Sequence, residues 1–226
     1  MRVTLRSSIA HVLVFAACGS SGMSHGADAG SGDPGSGTKT LYAAVGLSAS
    51  SVDGGSEVVV LDVELARTMR GGPSVSGATV TLTASGGVTV TATEDAMIPG
   101  MYEASGFAWQ PTWQVQITAG SDEVQATVQA PGETTVTSPT NGATVAAGDL
   151  TVQWTDAFGA HAQSVWADPG NGAPIVQLTD SGSGSVPVTA TSVVTIYRQD
   201  AEDLAGGVTG SLATATTSYG VYVQVQ

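Results

Sequence analysis

The heptapeptide Gly77-Ala78-Thr79-Val80-Thr81-Leu82-Thr83 sets small or apolar side chains against hydroxyl side chains in alternation. A period of two puts the two sets on opposite faces of an extended strand, one for a core and one for water. The same reading extends outward in both directions. Val58-Val59-Val60-Leu61 is β-rich on both faces, and strands are predicted at Val88 to Thr93, Met101 to Ser105, Trp113 to Thr118 and Val124 to Val128. Gly86-Gly87, Pro99-Gly100 and Gly120-Ser121-Asp122 stand between them as turn formers. Short strands repeated at such spacing predict a sandwich or a barrel, here over a first folded segment of residues 41–131.

Pro131-Gly132-Glu133 marks the predicted boundary, and residues 132–226 form the second segment. It opens with Ser138-Pro139-Thr140-Asn141-Gly142-Ala143-Thr144-Val145, in which Asn141-Gly142 suits a tight turn, followed by Leu150-Thr151-Val152-Gln153-Trp154. Later strands are expected near Gln163 to Ala167, Ile175 to Leu178, Val186 to Thr189, Val193 to Arg198 and Tyr219 to Val225, with one helical turn at Asp200 to Leu204. Val75-Ser76-Gly77-Ala78-Thr79-Val80-Thr81-Leu82, Pro99-Gly100-Met101-Tyr102-Glu103-Ala104 and Trp113-Gln114-Val115-Gln116-Ile117 resemble bacterial immunoglobulin-like modules and their transthyretin-like relatives. The opening of the second segment resembles immunoglobulin-like or fibronectin type III modules. These resemblances imply a fold and name no ligand. The expected class is all-β, two tandem immunoglobulin-like β-sandwich domains after a disordered N-terminal tether; one sandwich with a long insertion is the structural rival.

Apolar residues make up 42% of the 226 and charged residues 11%, so Thr, Ser, Gln and Gly must clothe the surface, as in extracellular β-proteins. Six basic residues face nineteen acidic ones, a net charge of −13. Arg2 and Arg6 precede Cys18 while all the acids follow it, which leaves four bases against nineteen acids beyond that point, a charge of −15. Such a field repels phosphate backbones, so nucleic acid is excluded as a partner, and the acidity reads as a solubility device.

Arg2 and Arg6 form a positive n-region, Ile9 to Phe15 an apolar h-region, and Ala16-Ala17 a pair of small residues before Cys18. These are the three parts of a secretory signal, residues 1–17. The apolar run falls well short of the roughly 20 residues that span a bilayer. Phe15-Ala16-Ala17-Cys18 resembles the lipobox of bacterial lipoproteins, with Phe15 where Leu is usual. The resemblance implies cleavage before Cys18, a diacylglycerol on its sulfur, and attachment to a membrane of the cell envelope. In enterobacterial lipoproteins an Asp after the Cys marks inner-membrane retention, so the same resemblance, with Gly19 at that place, implies the outer membrane. Residues 18–40 then comprise the lipidated Cys and a Gly/Ser-rich tether, GSSGMSHGADAGSGDPGSGT from Gly19 to Thr38, expected to be flexible coil.

Catalytic constellations are sparse. Cys18 is the only cysteine, which excludes a disulfide or thiol nucleophile in the folded part. His11 and His25 precede it, and His161 alone cannot form a zinc site or an oriented triad. Ser36-Gly37-Thr38-Lys39 matches the Ser-x-x-Lys spacing, but in a glycine-rich tether nothing fixes the pair. The carboxylate groups Glu94-Asp95, Asp122-Glu123 and Asp200, Glu202, Asp203 fall at predicted turns, where acids face water; the last could also offer oxygen ligands to calcium, yet it lacks the spaced Asp pattern and glycine of known loops. Trp113 and Trp154 read as core pillars, whereas Trp109 and Trp166 lie near strand ends, where an exposed indole could stack on a sugar. The expectation is a protein that is not an enzyme, without metal or cofactor, moored to the membrane by its lipid and serving as spacer, scaffold or protein-binding module. A glycan-binding or adhesive surface using Trp109 and Trp166 is the alternative, and a carboxylate-dependent hydrolase a weaker one.

Overall fold

The computed structural model describes residues 39–52, 58–156 and 162–226, so Cys18, the leader, most of the tether and His161 lie outside the described residues. Every long regular element among the described residues is a strand. In chain order they are β1 (Leu41–Val52), β2 (Val58–Arg67), β3 (Thr79–Ala84), β4 (Thr89–Thr91), β5 (Thr93–Glu94), β6 (Met101–Ser105), β7 (Thr112–Ala119) and β8 (Asp122–Gln129). There follow β9 (Thr134–Ser138), β10 (Ala143–Val145), β11 (Gly148–Asp156), β12 (Ser164–Asp168), β13 (Val176–Leu178), β14 (Ser183–Val188), β15 (Ser192–Asp203) and β16 (Leu212–Val225). The chain is all-β, as the alternation of its side chains demands.

A nine-stranded sheet runs β13-β12-β15-β16-β1-β2-β6-β5, with β10 added beside β16. Two smaller sheets, β4-β3-β7-β8 and β14-β11-β9, face it. Two apolar cores lie between these layers. The first joins Leu41, Val45 and Leu47 of β1 and Leu61, Val63 and Leu65 of β2 to Val80, Leu82, Trp113, Val115 and Ile117 of the four-stranded sheet. In the second, Val165, Val194, Ile196, Val221 and Val223 of the large sheet meet Val136, Val152, Trp154, Val186 and Val188 of the three-stranded one. This is β-sandwich layering, with each inner face apolar at every second residue.

The large sheet spans both cores because β1 and β16 pair in parallel, from Ala44 opposite Leu212 to Val52 opposite Gly220. Leu204, Ala213 and Ala215, which stand beyond residue 131, pack in the first core. The last two strands thus serve both cores, each changing partners along its length. β15 carries Val194 and Ile196 in the second core, then Arg198 and Asp200, and the chain beyond it places Leu204 in the first. β16 carries Ala213 and Ala215 in the first core, then Thr217, then Val221 and Val223 in the second.

Three departures from the sequence reading follow from this layout. Asp200–Asp203 is strand, paired with β16 through Asp203 opposite Leu212, and makes no helical turn. The register of a twelve-residue strand overrides the local preference of an acidic cluster. The small side chains of Leu41–Val52, rich in Ala and Ser, hid β1, yet Ala43, Val45, Leu47 and Ala49 are buried while Ala44, Gly46 and Ser48 face outward. The same holds for the first half of β16, where only Tyr219 onward was anticipated.

Candidate functional site: a polar seam and an open sheet face

Between the two cores the inner face of the large sheet turns polar. Arg198, 1% exposed, meets Asp180 from the β13–β14 connection in a two-pronged ion pair, Nε to Oδ1 at 3.0 Å and Nη2 to Oδ2 at 2.7 Å. Its Nη1 donates to the Gly132 carbonyl at 3.3 Å, on the link between β8 and β9. The Thr217 hydroxyl donates to the same carbonyl at 3.2 Å and shares a 2.8 Å hydrogen bond with the Thr134 hydroxyl. Asp180 also accepts from the Ala162 N–H at 2.7 Å and, at 3.4 Å, from the Trp154 indole. One guanidinium therefore ties the inter-core link, the large sheet and the smaller sheet's loop together, in the planar fork geometry that Arg offers and Lys does not.

Asp200, 4% exposed, lies two residues along the same face and accepts from the Gln163 N–H at 2.7 Å. Burial pushes its carboxyl up from the ordinary range, with Asp180 and Glu202 adding to the shift, against the lowering by the Gln163 N–H and the Arg198 charge. Asp180 moves the other way. Burial would raise it, but the Arg198 hydrogen bonds, the Ala162 N–H, the Arg198 charge and Trp154 together hold it below the usual carboxylate range. The expectation that the three acid clusters simply face water needs correcting on this point. Asp200 is buried, Asp122 pairs with Arg67 and accepts from Thr40, and the Glu94 carboxylate accepts from the Gly77 and Gly100 N–H groups at 2.9 and 3.1 Å. Those hydrogen bonds, the Gly77 N–H foremost, hold Glu94 below its ordinary value. The partners of Asp122 and Asp200 come from elements far along the chain, 37 to 82 residues away, and those of Glu94 from the loops on either side of it.

Neither of the two smaller sheets lies on the other face of the large sheet, so among the described residues that face is open. Register places Trp166 opposite Tyr197, Tyr197 opposite Ser218 and Ser218 opposite Ser50 in one outward row. The neighbouring row runs Gln199, Thr216, Ser48, Val60 and Ser105. Trp166 and Tyr197 stack with ring centroids 5.3 Å apart and planes 7° from parallel, both half-buried. Burial raises the Tyr197 hydroxyl, and the Asp168 charge adds to it. This face can offer an aromatic edge beside hydroxyl and amide groups. At its β2-β6-β5 side it becomes acidic around a shallow cavity of about 470 Å³ lined by Thr93, Glu94, Asp95 and Glu103 among others.

The two tryptophans singled out for ligand stacking part company here. Trp109 is 4% exposed and its indole N–H donates to the Pro131 carbonyl at 2.8 Å, so its ring faces are spent in the first core. Trp166 alone of the pair reaches the open face. Trp113 and Trp154 are buried, at 0% and 4% exposure. Trp113 meets Phe107 edge-on at 5.5 Å, and its Nε1 is the one buried side-chain donor among the described residues for which no hydrogen-bond partner is found. Among the described residues no three His, Cys, Asp or Glu side chains converge as metal ligands.

No family model matches the chain, and no curated protein sequence matches it. Among solved structures the chain is similar to the Yersinia pseudotuberculosis adhesin InvE, at 18% identity and a TM-score of 0.28. The alignment covers 82% of this chain and 61% of that one, so the chain spans about three fifths of the adhesin's length. A likeness that distant carries no conclusion about function.

Proposed function

We propose that this chain is a lipid-anchored protein of the cell envelope, held at the outer membrane through Cys18 and acting without catalysis as a spacer, scaffold or protein-binding module built from two immunoglobulin-like sandwich units. The observation that carries this reading is Cys18 itself, preceded by Phe15-Ala16-Ala17 behind a charged and then apolar leader. A lipid anchor leaves the folded body outside the bilayer, and one sheet shared by two cores is such a body. The Arg198 seam fits the same purpose, since it fastens the link between the cores to the sheet.

Fractionation tests the anchor. The parent chain is expected in the membrane fraction, carrying label from radioactive palmitate, and Cys18→Ser in the soluble periplasmic or secreted fraction without label. Identical distribution of the two would sink the reading. The non-catalytic part fails if purified protein turns over a glycan, ester or peptide substrate and Glu202→Gln abolishes that turnover.

A second reading, a glycan-binding surface, is favoured by one observation, the Trp166–Tyr197 stack on the uncovered face beside Ser, Thr and Gln. Trp109 has no part in it. Glycan binding that is unchanged by Trp166→Ala would remove this reading.

A further inference from the structure

The chain joins the fold through Lys39 and Thr40, and that junction is fixed. The Thr40 hydroxyl donates to the Asp122 carboxylate at 2.8 Å, and the Thr68 N–H donates to the Thr40 carbonyl at 2.8 Å. The loop following Arg67 therefore lies beside the point where the tether leaves. The β5–β6 loop sits against it: the Leu65 N–H donates to the Gly100 carbonyl at 2.8 Å, and a Cβ on Gly100 would come within 3.0 Å of the Ser74 Cβ. Register agrees, with Leu41 opposite Arg67 and Glu64 opposite Met101 at the same end of the large sheet.

These two loops carry Met97, 90% exposed, Met69, 63%, and Ile98, 56%. The first two are the most exposed large apolar side chains among the described residues. They are presented by a fixed backbone. The Asp95 Oδ1 accepts from the Met97 N–H at 2.6 Å and from the Ile98 N–H at 3.0 Å, and Glu94 clamps Gly77 to Gly100 below them. An ordered turn that holds two neighbouring apolar side chains in water keeps a solvation cost that only a covering partner removes.

Of the six basic residues, Arg2 and Arg6 precede Cys18 and Arg198 is buried in the seam. The other three, Lys39, Arg67 and Arg70, lie at this junction, where Arg67 pairs with Asp122 and Asp95 caps the turn that carries Met97. Exposed Met and Ile side chains close to the exposed Lys39 suit the boundary between acyl chains and head groups, where a Lys stem rises to the phosphates.

We infer that this end of the body, through Met97, Ile98 and Met69, docks on the surface of the bilayer that holds the anchor. The inference builds on the lipid-anchored reading. Between Cys18 and the described residues stand 20 residues, Gly19 to Thr38, and a flexible chain of that length and Gly/Ser content would span about 25 Å. Such a chain would keep this end of the fold within reach of the lipid, so that a contact too weak to bind alone would suffice once tethered. The first core lies nearest the membrane and the second is held away from it.

The test supplies an anchor that does not depend on acylation. The leaderless chain with Cys18→Ser and an N-terminal hexahistidine is held on vesicles of phosphatidylethanolamine, phosphatidylglycerol and a nickel-chelating lipid. Failure here then leaves the lipoprotein reading standing, and failure of acylation leaves this inference standing. A nitrobenzoxadiazole probe is attached at Met97→Cys or Ile98→Cys, and for reference at Val88→Cys, 57% exposed in the turn at the opposite end of β3. All three positions face solvent, and near-ultraviolet circular dichroism checks the fold. Nitroxide-labelled lipid is expected to quench the probes at 97 and 98 on the order of threefold more than that at 88, as insertion at the acyl boundary requires. Adding Met69→Ser should reduce that difference. Equal quenching at all positions, or at none, overturns the inference; a dimer seen by sedimentation in the latter case assigns the tip to a second copy.

Discussion

Replacing Asp180 by Asn strips the carboxylate from a guanidinium that is 1% exposed while keeping the side chain's size. Two charge-assisted hydrogen bonds of 3.0 and 2.7 Å lose their anionic acceptor, and an amide cannot accept both while also serving the Ala162 N–H. Arg198 keeps its contact with the Gly132 carbonyl, and its charge stays in the seam. Removing one partner of a buried ion pair costs about 3–5 kcal/mol, most of it the penalty of the stranded charge. For a folded part of this size each kcal/mol moves Tm by about 2–4 °C, so a fall of roughly 6–20 °C is expected. Urea unfolding followed by tryptophan fluorescence gives the free energy directly. The partner test is the double variant Asp180→Leu with Arg198→Met, which removes both charges. Its loss is expected to be smaller than that of Asp180→Asn alone, because an apolar pair strands nothing. If Asp180→Asn lies within about 1 kcal/mol of the parent, the seam is not the buried tie described here.

The two seam carboxylates should answer pH in opposite senses. Asp180, depressed in the fold, contributes stability above its unfolded pKa that is lost as pH falls through its folded value, so the Asp180→Asn cost should shrink in strong acid. Asp200, raised by burial, binds its proton more tightly in the fold, so stability is lost as pH climbs from its unfolded to its folded pKa. Relative to the parent, Asp200→Asn should therefore fare better at neutral pH than in acid, read by urea melts at the two pH values. Trp109→Ala should cost about 3–5 kcal/mol, as a buried ring does, whereas Trp166→Ala on the open face should cost less than half of that; equal losses would contradict the placement of both rings. Separate expression of residues 39–131 removes Leu204, Ala213 and Ala215 from the first core and bares the β1 edge that β16 pairs. That fragment should show no cooperative unfolding alone and should recover it on mixing with residues 132–226; a sharp transition on its own would count against the shared sheet.

Much of the layering was legible because side-chain alternation is a local signal. Val80 and Leu82 against Thr79 and Thr81, or Trp113, Val115 and Ile117 against Gln114 and Gln116, declare an inner and an outer face with no knowledge of partners. Alternation fails where both faces are small. Ala43, Ala44, Gly46 and Ser48 carry too little contrast to show that β1 is the central strand, and Leu212-Ala213-Thr214-Ala215 hid the half of β16 that enters the first core. The seam was illegible for a different reason. Arg198 and Asp180 are 18 residues apart, and Gly132 is a further step of 66 from Arg198, so only strand pairing brings them together. Trp109 and Trp166 looked alike in sequence, each just ahead of a proline, and the fold separated them: one gives its N–H to Pro131, the other stacks on Tyr197.

Cys18 bears the weight of the functional reading, and intact-mass spectrometry of the protein extracted from membranes addresses it without an assay of function. A chain beginning at Cys18 with the added mass of a diacylglycerol and an N-acyl group is the expected species. A chain that still begins at Met1 with a free thiol at Cys18, or one cut elsewhere and unmodified, would contradict the account.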